Sequence, residues 1–116
     1  MPVQSFRDLT VWQKSFDLAE KVYIRCGQLP KEEKFGLVSQ TQRSAVSIPS
    51  NIAEGCSRNN RGEYIQFVGI ARGSAAELET QLLLAQNIYK LDLSEELAML
   101  TEVRKMLTRL SQTLRN

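Results

Sequence analysis

Helical periodicity constrains this chain more than any other feature. Apolar residues recur at alternating steps of three and four in four successive blocks. Leu9, Trp12, Phe16, Ala19, Tyr23 and Cys26 make the first stripe, and Val38, Thr41, Ala45, Ile48 and Ile52 the second. Tyr64, Phe67, Ala71, Ala75, Leu78, Leu82, Ala85 and Tyr89 make the third. Leu93, Leu97, Leu100, Val103, Leu107, Leu110 and Leu114 make the fourth. This spacing gathers residues on one helix face, whereas a strand needs alternation. Breaks at residues 26–30, 58–62 and 90–94 are short. Short connections between amphipathic helices predict an all-α, antiparallel, up-down-up-down four-helix bundle over residues 1–116, a single domain. A chain of 116 residues buries enough surface to fold without a disulfide or metal staple.

Local chemistry supports the boundaries. Ser94 is the expected N-cap of the fourth helix, with Glu95 and Glu96 in its first turn. Lys31, Glu32 and Glu33 after Pro30 likewise read as a helix start. Pro49 falls inside the second helical pattern and predicts a kink, with Ser44, Ser47 or Ser50 positioned to satisfy a freed carbonyl. The alternative is two shorter helices broken near Ile48.

The composition then removes classes of chemistry. There is no histidine, so Ser-His-Asp, Cys-His and histidine–metal sites are excluded. Cys26 and Cys56, thirty positions apart, form no zinc or disulfide pattern, and Cys56 lacks a base to make it a nucleophile. Glu54, Glu77 and Glu79 are the only carboxylates in positions suggestive of enclosure. The expectation is a protein that is not an enzyme, with no metal and no cofactor. The opening residues carry no apolar leader and no run is long enough to span a membrane, so the expected location is the cytoplasm.

Two stripes fit an ordinary solvent face poorly. Gln40, Ser44, Ser47, Asn51, Glu54 and Arg58 repeat at steps of four and three beside the apolar stripe of the second helix. Short hydroxyl and amide side chains lose little rotamer freedom on burial, which suggests a partly buried face in a subunit interface or ligand groove. A solvated face is the plain alternative. Gly69, Gly73, Ala76 and Thr80 form a small-residue stripe on the third helix. Two glycines inside a helix cost about 1 kcal/mol each relative to alanine, so close approach of another helix is expected there. Arg72, between those glycines, is expected to pair with Glu54 or Glu79.

Arg43, Arg58, Arg61 and Arg72 are the candidate nucleic-acid contacts, centred on the turn Arg58-Asn59-Asn60-Arg61. An ordinary soluble turn is the competing reading. Lys and Arg total 15 against 13 Asp and Glu, spread evenly along the chain. A monomer of that charge binds nucleic acid weakly, but a symmetric oligomer can concentrate arginines on a ring.

The stretch from Gly36 through Arg43, Ser47, Asn51 and Glu54 to Gly55 closely resembles the signature of the bacterial four helix bundle protein family. That family is also called the 23S rRNA intervening-sequence protein family. The run Ile70-Ala71-Arg72-Gly73-Ser74-Ala75-Ala76-Glu77-Leu78-Glu79-Thr80-Gln81 resembles its second signature. Phe6-Arg7-Asp8-Leu9 with Trp12, and Leu29-Pro30 followed by Glu33, also fit. The resemblance covers nearly the whole chain. It implies a left-handed antiparallel bundle that self-associates as a homopentamer. It also implies possible RNA or DNA binding and, through a distant relative, a protein partner such as a reverse transcriptase. Some members are encoded within intervening sequences of ribosomal RNA genes, which does not make them ribosomal proteins. No catalytic residues carry over. The matched positions coincide with the polar and small-residue stripes, which makes Gln40, Ser44, Ser47, Asn51, Glu54, Gly69, Gly73, Glu77, Glu79 and Thr80 the candidate interface set.

Overall fold

A computed structural model describes residues 5–116; residues 1–4, where the stretch read for a leader begins, lie outside them. Four long helices account for the described fold: α1 Thr10–Cys26, α2 Leu37–Cys56, α3 Arg61–Tyr89 and α4 Ser94–Arg115. No strand occurs among the described residues. None of their helices is long and apolar enough to cross a membrane. Cross-helix pairs give the directions. Lys14 meets Glu102 at 2.9 Å and Lys21 meets Glu95 at 2.7 Å, so numbers rise along α1 as they fall along α4. Ser44 reaches Gln81 and Ser47 reaches Ser74, giving the same opposition between α2 and α3. Glu79 pairs with Arg104, and Gln86 accepts from the Leu93 N–H, across α3 and α4. The 29 residues of α3 span roughly 43 Å at 1.5 Å each, close to the 45 Å long axis of the molecule.

Each helix start has its own device. Ser5 caps a short 3-10 turn, Phe6–Asp8, that leads into α1, and the Gln13 side chain donates to the Arg7 carbonyl at 2.8 Å. Lys31–Glu33 form a second 3-10 turn rather than the start of α2. From that turn the Glu33 carboxylate accepts the Leu37 N–H at 3.1 Å, meeting an unsatisfied donor at the true helix start. Its other oxygen takes the Tyr89 hydroxyl. These two bonds hold Glu33 below its ordinary value, with the Tyr89 bond the larger cause. Asn60 caps α3 by accepting from the Glu63 N–H at 2.9 Å. Ser94 is not the cap of α4. It is the first residue of the helix, and Asp92 accepts both its N–H (3.0 Å) and its hydroxyl (2.6 Å).

The core follows the expected stripes on α2 and α3, and largely on α4. On α1 it does not. Val11, Ser15, Leu18, Val22 and Cys26 face inward, while Phe16 and Tyr23 are exposed. Two apolar stripes run side by side on this helix, and the aromatic one is the outer. The polar Ser15 disguises the inner stripe; its hydroxyl bonds back to the Trp12 carbonyl at 3.0 Å and so enters the core satisfied. Glu96 is a second disguised position on α4, buried beside Arg25 at 3.7 Å. At Pro49, α2 continues unbroken rather than dividing into two helices. Ser44 lies against Gln81 and the Gln40 and Thr41 carbonyls, and Ser47 shares a bond with Ser74; neither hydroxyl meets the Ala45 carbonyl that the proline frees.

Candidate nucleic-acid and assembly surfaces

The polar stripe of α2 splits in two. Its middle forms a hydrogen-bonded seam against α3. Ser44 donates to Gln81 Oε1 at 2.5 Å, the Ser47 and Ser74 hydroxyls lie 2.7 Å apart, and Asn51 donates to Ser47 Oγ at 2.9 Å. Ser44 and Ser74 are buried. Gln40, Glu54 and Arg58, at the ends of the stripe, are exposed. The polar character therefore arises from packing within one chain, where small hydroxyls let α2 and α3 approach. The close approach has its own glycine. A Cβ at Gly55 would stand 2.8 Å from Phe67 Cβ and 3.0 Å from Tyr64 Cδ1.

Gly69 and Gly73 do not serve that purpose. Nothing lies within 4 Å of a Cβ built at either, so no helix of the same chain packs against the small-residue stripe. Gln66, Gly69, Gly73, Ala76, Thr80, Leu83, Leu84 and Asn87 all look outward, exposed and uncharged. Arg72 and Glu77 flank this strip. The ion pairing expected of Arg72 is also different. Glu54 pairs with Arg58 at 3.2 Å and Glu79 pairs with Arg104, while Arg72 has no ion pair among the described residues. Glu77 likewise has no ion pair among the described residues.

The nine exposed large apolar side chains of the described residues lie on two sides of the bundle. Phe16, Tyr23, Ile24, Phe35 and Val46 lie along the α1–α2 face. Most of them line a groove of about 560 Å³ with Trp12, Pro49 and Ala53. Ile70, Leu83, Leu84 and Ile88 lie on the outward side of α3. Patches of this kind on an otherwise polar surface mark contact sites.

Charge that is flat along the sequence is uneven in space. Consider the half of the bundle beyond the Glu79–Arg104 pair, where α2 turns into α3 and α4 finishes. It carries Arg7, Arg58, Arg61, Arg72, Lys105, Arg109 and Arg115 against Asp8, Glu54, Glu63 and Glu77. Six of its seven basic groups are unpaired among the described residues; Arg58 alone bonds carboxylates, Glu54 and Glu63. Arg61 donates to the Asn116 carbonyl at 3.4 Å. The other half has the remaining eight basic residues against nine acidic ones. Of the four candidate arginines, Arg58, Arg61 and Arg72 lie in the basic half. Arg43 lies roughly 22 Å along α2 from Arg58 and belongs to a different region. Sequence spacing did not reveal Arg7, Lys105, Arg109 and Arg115, because they come from distant parts of the chain and meet only on folding.

The carboxylates and thiols singled out in the sequence lie apart from one another. Glu54, Glu77 and Glu79 share no enclosed pocket. Cys26 is buried, and desolvation pushes its thiol up to about 11. Cys56 is half-buried against Tyr64, whose hydroxyl is raised to about 12, chiefly by burial. The raised Cys26 thiol is the opposite of an activated nucleophile, whose pKa is depressed.

Taken together, the fold and surfaces define a small all-α bundle whose features lie on its outer faces rather than in a central cavity. The chain belongs to the family described as 23S rRNA-intervening sequence protein, whose model matches residues 7–111. No curated protein matches the chain.

Proposed function

We propose that this protein is a non-catalytic, self-associating accessory protein of the cytoplasm that binds nucleic acid through the arginine-rich half of its bundle. The uneven distribution of unpaired basic side chains carries the reading. Arg61, Arg72, Arg109 and Arg115 offer forked donors suited to phosphate oxygens, and a surface of this kind binds backbone rather than sequence. The family description refers to 23S rRNA intervening sequences, which makes RNA the first nucleic acid to test. The two unpaired cysteines fit a reducing compartment. Self-association, with five copies as the count expected from the resemblance, would multiply the basic surface and strengthen its field.

Fluorescence anisotropy with labelled mixed-sequence RNA and DNA tests the reading. Affinity is expected to fall steeply as salt rises, because phosphate contacts release counterions. The double variants Arg58→Ala/Arg61→Ala and Arg109→Ala/Arg115→Ala are each expected to weaken binding and flatten the salt dependence. Arg43→Ala is expected to leave both unchanged. Undetectable binding at low salt, or double variants that bind like the parent, would sink the proposal.

The two apolar patches favour a second reading, in which the protein is a structural ring or an adaptor for another protein, such as a reverse transcriptase, with no nucleic-acid role. Both readings expect an oligomer. Light scattering is expected to give a multiple of the chain mass for the parent and a lower one for Gly73→Leu. A monomeric parent at all concentrations contradicts self-association in either form.

A further inference from the structure

A cleft of about 510 Å³ lies between α2 and α3, halfway along the bundle where the arginine-rich half begins. Ser44, Ser47, Ser74 and Gln81 line it, with Arg43 and Glu77 beside them on α2 and α3 respectively. The pairing within it leaves specific groups unused. Ser44 has one hydroxyl hydrogen, and Gln81 Oε1 is its nearest acceptor, ahead of the Gln40 and Thr41 carbonyls at 3.2 Å. That bond occupies the Gln81 carbonyl and leaves both amide hydrogens of Gln81 without a partner among the described residues. Ser47 and Ser74 have two hydroxyl hydrogens between them, and their mutual bond uses one. Ser47 already accepts from Asn51, so the other hydrogen is spare whichever hydroxyl donates. Arg43 adds its guanidinium, which has no ion pair among the described residues. The cleft thus presents an excess of donors and one free carboxylate, Glu77. Arg43 and Glu77 share the cleft yet form no ion pair, so each keeps its charge available.

We propose that this cleft is a binding site for a small zwitterion of the α-amino-acid class. The carboxylate of the ligand takes the donors of Arg43, Gln81 and the spare serine hydroxyl. Its ammonium meets Glu77. A plain anion would leave Glu77 unmatched, and a plain amine would face the donor excess, so the charge pattern selects a molecule with both groups. None of the basic residues assigned to nucleic-acid binding lines this cleft, so the two sites are tested separately.

The test is a series of amide nuclear magnetic resonance spectra of the intact chain. The probes are pooled common α-amino acids and, separately, acetate, methylammonium and inorganic phosphate. The expected result is saturable shifts at Ser44, Ser47, Ser74 and Glu77 with at least one amino-acid pool, and markedly weaker effects from acetate and methylammonium. Both Arg43→Gln and Glu77→Gln replace exposed side chains. Each is expected to weaken the amino-acid response by about tenfold or more, the worth of one charge-assisted hydrogen bond. Four results overturn the proposal. Acetate matching the amino acids makes the site a simple anion site. Phosphate binding more tightly makes it a phosphate site. An unchanged response in both variants removes the assigned residues. No saturable shift with any probe removes the site. None of these results bears on RNA binding at Arg58 and Arg61, which is measured separately.

Discussion

Three glycines on neighbouring helices should respond to the same substitution in opposite directions. At Gly73 and Gly69 an added Cβ meets nothing within 4 Å. Alanine there removes backbone freedom from the unfolded chain at no steric cost, a gain of about 0.5–1 kcal/mol at each site. At Gly55 the new methyl would stand 2.8 Å from Phe67 Cβ, an atom fixed close to the α3 backbone. Relieving such a contact costs about 1–3 kcal/mol and offsets the propensity gain, leaving a net loss of about 1–2 kcal/mol. At about 4 °C per kcal/mol for a domain of this size, Gly73→Ala should raise Tm by about 2–4 °C and Gly55→Ala should lower it by about 4–8 °C. The assay is thermal and urea unfolding in dilute solution, where association does not contribute. At high concentration Gly73→Ala should also weaken self-association if a second copy packs on the uncharged side of α3. Stabilisation by Gly55→Ala, or destabilisation of the dilute chain by Gly73→Ala, would refute the reasoning.

Other expectations follow from the same geometry. Leu18→Ala should cost about 2–5 kcal/mol and Phe16→Ala about 1 kcal/mol or less in dilute solution, because Leu18 is in the core and Phe16 is 43% exposed. Equal costs in chemical denaturation would contradict the α1 register. Asp92→Ala should lower Tm by a few degrees and Ser94→Ala by less, since Asp92 holds two bonds at the start of α4; the reverse order would restore Ser94 as the cap. Glu33 has a lowered pKa in the folded chain, so its contribution is complete above its ordinary value of 4.5 and is lost as pH falls through the lower folded value. Tyr89→Phe should move the Glu33 carboxyl titration upward, read by carbon-13 chemical shifts; an unmoved titration would exclude the bond.

The helices were legible because burial on one face imposes a period that survives local exceptions. On α3 and α2 the inner stripe is the most apolar one, so sequence and core agree. On α1 a serine sits in the inner stripe and two aromatics lie beside it, so hydropathy alone rotates the face outward at Phe16 and Tyr23 while Ala19 and Cys26 stay in the core. The stripe Gln40–Arg58 was visible as unusual, but its meaning depended on which helix lay opposite. Ser47 and Ser74 are 27 positions apart, and only folding brings their hydroxyls within 2.7 Å. The same limit hid the basic half, whose members come from the beginning, middle and end of the chain. The small-residue stripe was read for close packing, which the chain achieves at Gly55, a glycine outside that stripe.

The two kinds of seam in this bundle bear on how it assembles and how it opens. Helices α2 and α3 are joined by one tight turn and stitched by buried hydroxyls, so their contacts close short loops. The α1–α4 seam joins opposite ends of the sequence, and its rim is fastened by the exposed pairs Lys14–Glu102 and Lys21–Glu95. Loop-closure entropy places the local hairpin first and the terminal helices last in folding. Exposed ion pairs are screened by salt, while buried hydroxyl pairs are not. Salt therefore loosens the rim of the α1–α4 side and leaves the α2–α3 seam and the shared core untouched.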